Sequence, residues 1–307
     1  IGMSSTSNHH NVALAASLSL SKLGDLSHRD FIVESAKHKN PLAIPLLYDI
    51  PSSEPLLTHL LADYSFPIRV NAALVLLKKR NPKCIPTLLK MLIKDETDLG
   101  FQPITSLGHT LTAWKVIPSC TQYAKKMQQD IPGITLALKE QILSEALELP
   151  EEDFLNIARQ IFKAKENELI PILIHLLENL NTPDAIALLR EESLHAGAPF
   201  IRTYCHLALL RLKVDGPHKD YIYDWMKSQK GHELFQFREM LSWTERNEKE
   251  GFYLLTPKEK SRLLIECFET VVKMHDLEGI DILLSAIATG HEKNRYLLSG
   301  LLLQAIQ

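Results

Sequence analysis

The adjacent residues Cys205-His206 are of the types that make a thiol nucleophile and its base, and among the 307 residues there are 4 cysteines and 13 histidines from which other reactive or ligating sets can be drawn. Nucleophilic catalysis requires the two groups to face one another, so that the base takes the thiol proton. Neighbours along a helix project about 100° apart and do not meet. The pair therefore reads as packing. Cys84, Cys120, Cys205 and Cys267 lie far apart, without the close spacing of a zinc-binding pair. His9-His10 is contiguous, but no His-Glu-x-x-His occurs, so no metal site is expected. Gly-rich phosphate loops and a Gly-x-Ser-x-Gly elbow are missing as well, and no cofactor is implied. The chain reads as non-enzymatic.

Two groups of residues suit binding instead. Lys78, Lys79, Arg80, Lys83, Lys90 and Lys94 crowd one stretch, with Lys83, Lys90 and Lys94 on roughly one helical face. Such a face docks an acidic partner, or it is a solvated helix surface. Lys79, Lys83, Lys90 and Lys94 are the candidates. The stretch Tyr221, Tyr223, Trp225, Phe235, Phe237 and Trp243 offers interface anchors, Tyr221 and Trp225 first, with core packing as the competing use. A formal net charge of -3 leaves no overall excess of cation for a phosphate backbone. Nucleic acid is not an expected partner.

The elements that must carry these residues are helices. Glycine is scarce at 12 residues, no alternating runs are joined by hairpin turns, and 45% hydrophobic composition is ample for a core. One phrase recurs. Ile-Pro-x-(Leu or Ile) begins at Ile44, Ile85, Ile131 and Ile170, in steps of 41, 46 and 39 residues. That spacing suits one helix pair per repeat. Asn40-Pro41, Asn81-Pro82, Thr182-Pro183 and Thr256-Pro257 have the capping residue and first-turn proline of helix starts. Pro45 and Pro86 lie about a turn inside, so a bend is expected near each. Ile85, Leu88, Leu89 and Leu92 fall on one face, as do Leu169, Ile172, Leu173, Leu176, Leu177 and Leu180. A second signature, Asp63 to Leu76, starts a helix with small Ala72 and Ala73 where a neighbour must approach. It returns at 199–210 and more loosely at 12–25.

Asp63, Pro67, Ile68-Arg69, Ala72-Ala73 and Leu76, followed by Ile85-Pro86 and Leu88-Leu89, resemble a HEAT repeat of the phycobilisome-lyase-like kind. The best copy spans 63–94, and beyond about 215 only helical periodicity is shared. The resemblance implies an all-α right-handed α-α superhelix, a HEAT-like solenoid of antiparallel helix pairs. It also implies that Asp63, Arg69 and Arg202 are structural and tie adjacent repeats, although the copy at 199 has no acid matching Asp63. The functions implied are bilin-lyase-like or chromophore-chaperone activity, or that of a HEAT-like DNA-repair glycosylase. The latter needs a basic groove with aromatic residues, for which Trp114, Trp225 and Trp243 are available.

The expectation is thus a single solenoid over 1–307. An irregular joint or loop is expected at 95–109 and a helical cap of about three helices at 256–307. A solenoid groove suits extended recognition, so the expected function is a protein-protein interaction scaffold with a protein or peptide partner. No apolar run approaches the roughly 20 residues that span a bilayer. The distant cysteines fit a reducing compartment, hence a cytoplasmic location. Ile1 is not an initiator residue, so the chain reads as a processed product or excised fragment, with room upstream for a targeting signal.

Overall fold

The computed structural model describes residues 2–25, 27–93, 99–118, 131–229, 257–290 and 294–306. Among them are fourteen α-helices and one small two-stranded sheet, so the chain is mostly helical. None of the described helices is long and apolar enough to cross a membrane. The chain divides into two compact units, Ile1–Leu173 and Ile174–Gln307.

The first unit contains α1 (Gly2–Lys22), α2 (Arg29–Lys37), α3 (Glu54–Leu60), α4 (Phe66–Lys78), α5 (Ile85–Leu92), α6 (Ile131–Ala146) and α7 (Glu151–Ala164). Its central element is α4, which packs against α3, α5 and α6. Val70, Ala72, Ala73 and Leu76 are all fully buried there, the two alanines permitting the close approach that their size suggested. The Ile-Pro phrases behave as helix starts at Ile85, Ile131 and Ile170, the last opening α8 (Ile170–Leu180). At Ile44-Pro45 the chain instead forms a five-residue 3-10 helix, Pro45–Asp49. Pro51 follows too soon for an α-helix, and it holds Ile50 extended at φ -96°, ψ 119°. The Asn40 and Asn81 side chains do the same local work, accepting the N–H of Leu42 at 3.0 Å and of Lys83 at 3.1 Å.

Several helices end in the same way, without glycine. Lys39, Arg80, Lys165, Asn181, Lys213 and His275 all adopt left-handed backbone with φ between 48° and 62°. The N–H groups after three of them reach back across the last turn, Asn40 to the Ser35 carbonyl, Asn81 to Leu76 and Val214 to Leu209, at 2.9 to 3.1 Å. These bonds satisfy carbonyls that a helix end otherwise leaves open. The short connections they create turn one helix back beside the next.

The segment expected as an irregular joint at 95–109, in an all-α chain, contains a strand. β1 (Leu99–Ser106) pairs antiparallel with β2 (Leu111–Pro118), from Leu99 opposite Pro118 to Ser106 opposite Leu111. β2 turns Leu111, Ala113 and Ile117 inward from one face and Thr112 to solvent from the other, with Lys115 an exposed exception on the otherwise buried face. Helices hold both outer edges. The buried Asn71 side chain of α4 accepts the Trp114 N–H at 2.8 Å and donates to the Trp114 carbonyl at 2.7 Å, as a third strand would. On the other edge, the Phe101 N–H donates to Thr135 Oγ1 of α6 at 3.0 Å. Trp114 spends both backbone groups outward, so its partner Pro103 sits at a position where the missing N–H costs the ladder nothing.

The second unit holds α9 (Pro183–His195), α10 (Pro199–Arg211), α11 (His218–Ser228), α12 (Pro257–Met274), α13 (Leu277–Thr289) and α14 (Asn294–Ile306). Thr182 caps α9, its hydroxyl accepting the Ala185 N–H at 3.3 Å with Pro183 in the first turn. Thr256, the cap expected for α12, lies outside the described residues. α10 is buried almost all round and packs against α9, α11 and α12. The three helices expected in the tail are α12 to α14, with Leu263, Leu264, Phe268, Val271 and Val272 buried in the first and Leu298 and Leu301 in the last.

Candidate functional site

His206 and the described cysteines are engaged in packing. Cys84, Cys205 and Cys267 are buried and unpaired. Burial pushes their thiols up, that of Cys84 to about 12, away from the thiolate form. Cys120 lies outside the described residues. His206 turns from Cys205 toward α11, where its Nδ1 lies 2.8 Å from Nδ1 of His218. One imidazole donates and the other accepts, so this hydrogen bond needs at least one neutral ring. Burial, then His218, then Arg202, depresses His206 to about 4. Among the described residues no group of three or more His, Cys, Asp or Glu side chains is placed to hold a metal.

The lysine stretch separates into different environments. Lys79 is turned inward with its side chain 13% exposed, its ammonium 3.5 Å from the Glu54 carboxylate and 3.3 Å from the Ile50 carbonyl. Lys83 and Lys90 are exposed, seven residues apart, without an ion pair among the described residues. Lys94 lies outside them. Arg80 meets Glu148 at 2.6 Å on the surface.

Asp63 and Arg69 are each tied to other groups, with no ion pair between their side chains. The Asp63 carboxylate takes the Lys39 ammonium at 2.8 Å and the Ser65 N–H at 2.8 Å. Lys39, then Ser65, holds that carboxyl below its ordinary value. The Arg69 guanidinium donates to the carbonyls of Asp63 at 2.5 Å and Tyr64 at 2.9 Å, closing the turn before its own helix. Arg202 is half-buried, and its Nε has no acceptor among the described residues.

Of the aromatic candidates, Tyr221 stacks on His206 with ring centroids 4.0 Å apart, and Trp225 is half-buried one turn later on α11. Tyr223 is buried, its hydroxyl donating to Asp276 at 2.8 Å. Phe235, Phe237 and Trp243 lie outside the described residues.

The second unit also forms a cavity of about 370 Å³ that no single stretch of sequence announced. Four helices wall it: α11 through Met226, Lys227 and its C-cap Gln229, α12 through Leu264 and Phe268, α13 along one face, and α14 through Asn294 and Leu298. Its floor is apolar and its rim polar. The face that α13 presents runs Glu278, Ile282, Ser285, Ala286 and Thr289, at helical spacing. A fully packed helix would place larger apolar side chains on that face; small and polar ones leave the space. This mixed stripe was the available sequence signal.

The cavity walls are fixed by polar contacts outside it. Asp276 caps α13, accepting the Gly279 N–H at 3.2 Å, and also takes the Tyr223 hydroxyl at 2.8 Å and the Lys219 ammonium at 2.9 Å from α11. Arg211 of α10 reaches Thr270 and Glu266 of α12 at 2.9 and 3.4 Å, and Glu178 of α8 at 3.4 Å. Lys227 spans the rim to Glu278 at 3.4 Å. Compared with protein-family models, curated proteins and solved structures, the chain matches none.

Proposed function

We propose that the chain is a non-enzymatic interaction scaffold, and that it takes a protein or peptide partner by seating an apolar anchor in the cavity between α11, α12, α13 and α14. On this reading the helix pairs within each unit are HEAT-like hairpins of the right-handed solenoid that the repeat phrases imply, and the mostly helical content supports it. The observation that carries this reading is the cavity itself. About 370 Å³ lined by Leu264, Phe268, Ile282 and Leu298 beneath a polar rim is the construction of a binding pocket. An apolar floor gains affinity by removing a side chain from water, at roughly 25 cal/mol per Å². The exposed Lys83 and Lys90 face contributes a separate electrostatic surface in the first unit.

Supporting the non-enzymatic part, the three described thiols are buried and the His206–His218 pair is closed on itself beneath Tyr221. Selection of a random peptide library on the full chain tests the reading. Enriched peptides are expected to carry a bulky apolar residue and to lose binding to Ala286→Trp, with circular dichroism confirming an unchanged helix content. Ser285→Trp, which alters an exposed rim position, serves as the second cavity-filling variant. Peptides that bind wild type and both variants alike would refute the cavity as the docking place.

A further inference from the structure

The hydrogen-bonding capacity around the cavity is unequally spent. Three of its donors are committed: Lys227 donates to Glu278 at 3.4 Å, the Thr289 hydroxyl to the Ser285 carbonyl at 2.7 Å, and the Gln229 amide nitrogen to Ser228 Oγ at 2.6 Å. Two of its acceptors are not. Gln229 Oε1 is buried and has no donor among the described residues. Asp281, exposed on the α13 wall, has no cation paired with it among the described residues. Glu278, one turn earlier, is already shared by Lys227 at 3.4 Å and Lys219 at 3.9 Å. The lining thus carries two carboxylates and one ammonium, with Asp281 the charge left over.

A buried acceptor without a donor is costly, and a ligand that supplies the donor recovers that cost. A partner with an acidic group at this rim would meet Asp281 in repulsion and leave Gln229 unpaired. A neutral apolar partner would fill the floor and leave both acceptors open. We propose that the cavity recognises a peptide in which the bulky apolar anchor stands beside a lysine or arginine, the apolar side chain on Leu264, Phe268 and Leu298 and the cationic donor between Asp281 and Gln229. This rests on the reading of the cavity as a peptide-docking place, and adds to it the chemistry of the peptide.

The test uses three fluorescein-labelled octapeptides with one leucine-rich centre, flanked by lysine, by glutamine or by glutamate, titrated against the full chain by anisotropy. The lysine-flanked peptide is expected to bind about fivefold more tightly than the glutamine-flanked one, the size of an exposed ion pair, and the glutamate-flanked one more weakly still. Raised salt should shrink the first difference. Asp281→Asn should abolish it while leaving the glutamine-flanked peptide unchanged, and Ser285→Trp should weaken all three. Equal binding of the three peptides, or a preference indifferent to Asp281→Asn, overturns the basic-residue inference while the docking reading stands. No binding by any of them, or binding indifferent to Ser285→Trp, removes the docking reading and this inference with it.

Discussion

Asn71 is the residue whose replacement most directly tests how a β-hairpin is held in an otherwise helical unit. It is buried, 1% exposed, and uses both halves of its amide: Oδ1 accepts the Trp114 N–H at 2.8 Å, while Nδ2 donates to the carbonyls of Trp114 at 2.7 Å and Pro67 at 2.8 Å. Asn71→Ala removes two bonds to the hairpin, each worth about 1 kcal/mol net, and strands the Trp114 groups at a further cost of about 1–2 kcal/mol. The expected destabilisation is about 3–4 kcal/mol. Asn71→Asp is the sharper perturbation because it keeps volume and one acceptor. Its second oxygen would face two carbonyl oxygens where a donor stood, with a charge buried and unpaired, for a cost of about 3–5 kcal/mol. Urea denaturation should therefore rank wild type above Ala, and Ala at or above Asp. Hydrogen exchange at the Trp114 amide should quicken in both variants before the α4 interior is affected. An Asp variant within about 0.5 kcal/mol of wild type, with Trp114 protection retained, would show that Asn71 acts by size alone and refute the clamp.

Further outcomes are expected elsewhere. A methyl group on Gly279 would run into Val271 and Tyr223, so Gly279→Ala should cost about 1–3 kcal/mol in thermal denaturation, an unaffected melting temperature contradicting this packing of α13. Lys213 ends α10 at φ 55° and its side chain makes no hydrogen bond or ion pair among the described residues, so Lys213→Gly should stabilise by about 0.5–1 kcal/mol, read as a raised urea midpoint. His206 is depressed from 6.5 to about 4, so the unfolded chain binds its proton first. Its contribution is intact above about pH 6.5 and is lost progressively as pH falls toward 4, and His206→Gln should flatten the stability profile across that window. A profile of unchanged slope in that variant would exclude the buried neutral ring as its source.

How much of this was legible follows from what each residue must satisfy locally. Asn81 and Thr182 cap helices because their side-chain oxygens sit next to open N–H groups, a requirement settled within three residues, and both appear where the sequence placed them. The Ile-Pro phrase reads well at 85, 131 and 170 and fails at 44, where Pro51 ends the segment before a helix closes. The hairpin was missed because its evidence is divided. Gly100, Pro103 and Gly108 suggested irregular chain, while the alternation that identifies a strand begins only at Leu111. Lys79 shows the limit for surface residues, since nothing in a cluster of cations tells that one of them will turn in toward Glu54 and Ile50. The cavity was least legible. Its walls come from four helices spread over residues 226–298, and only the mixed stripe from Glu278 to Thr289 marks it on any one of them.

The division of labour around that cavity bears on how it would evolve specificity. Asp276 and Arg211 join α11 to α13 and α10 to α12 through groups that do not line the cavity, so the walls are positioned without help from an occupant. Preorganised walls spare a partner the cost of ordering them, which leaves more of the burial energy for affinity. The rim residues Asp281, Ser285 and Thr289 are exposed and carry none of those ties. Exchanging them alters charge and shape at the mouth while the scaffold keeps its stability, since exposed substitutions away from such networks usually shift it by within about 0.5 kcal/mol. Recognition is therefore free to change at positions that folding does not constrain, whereas a change at Asp276 would alter both together.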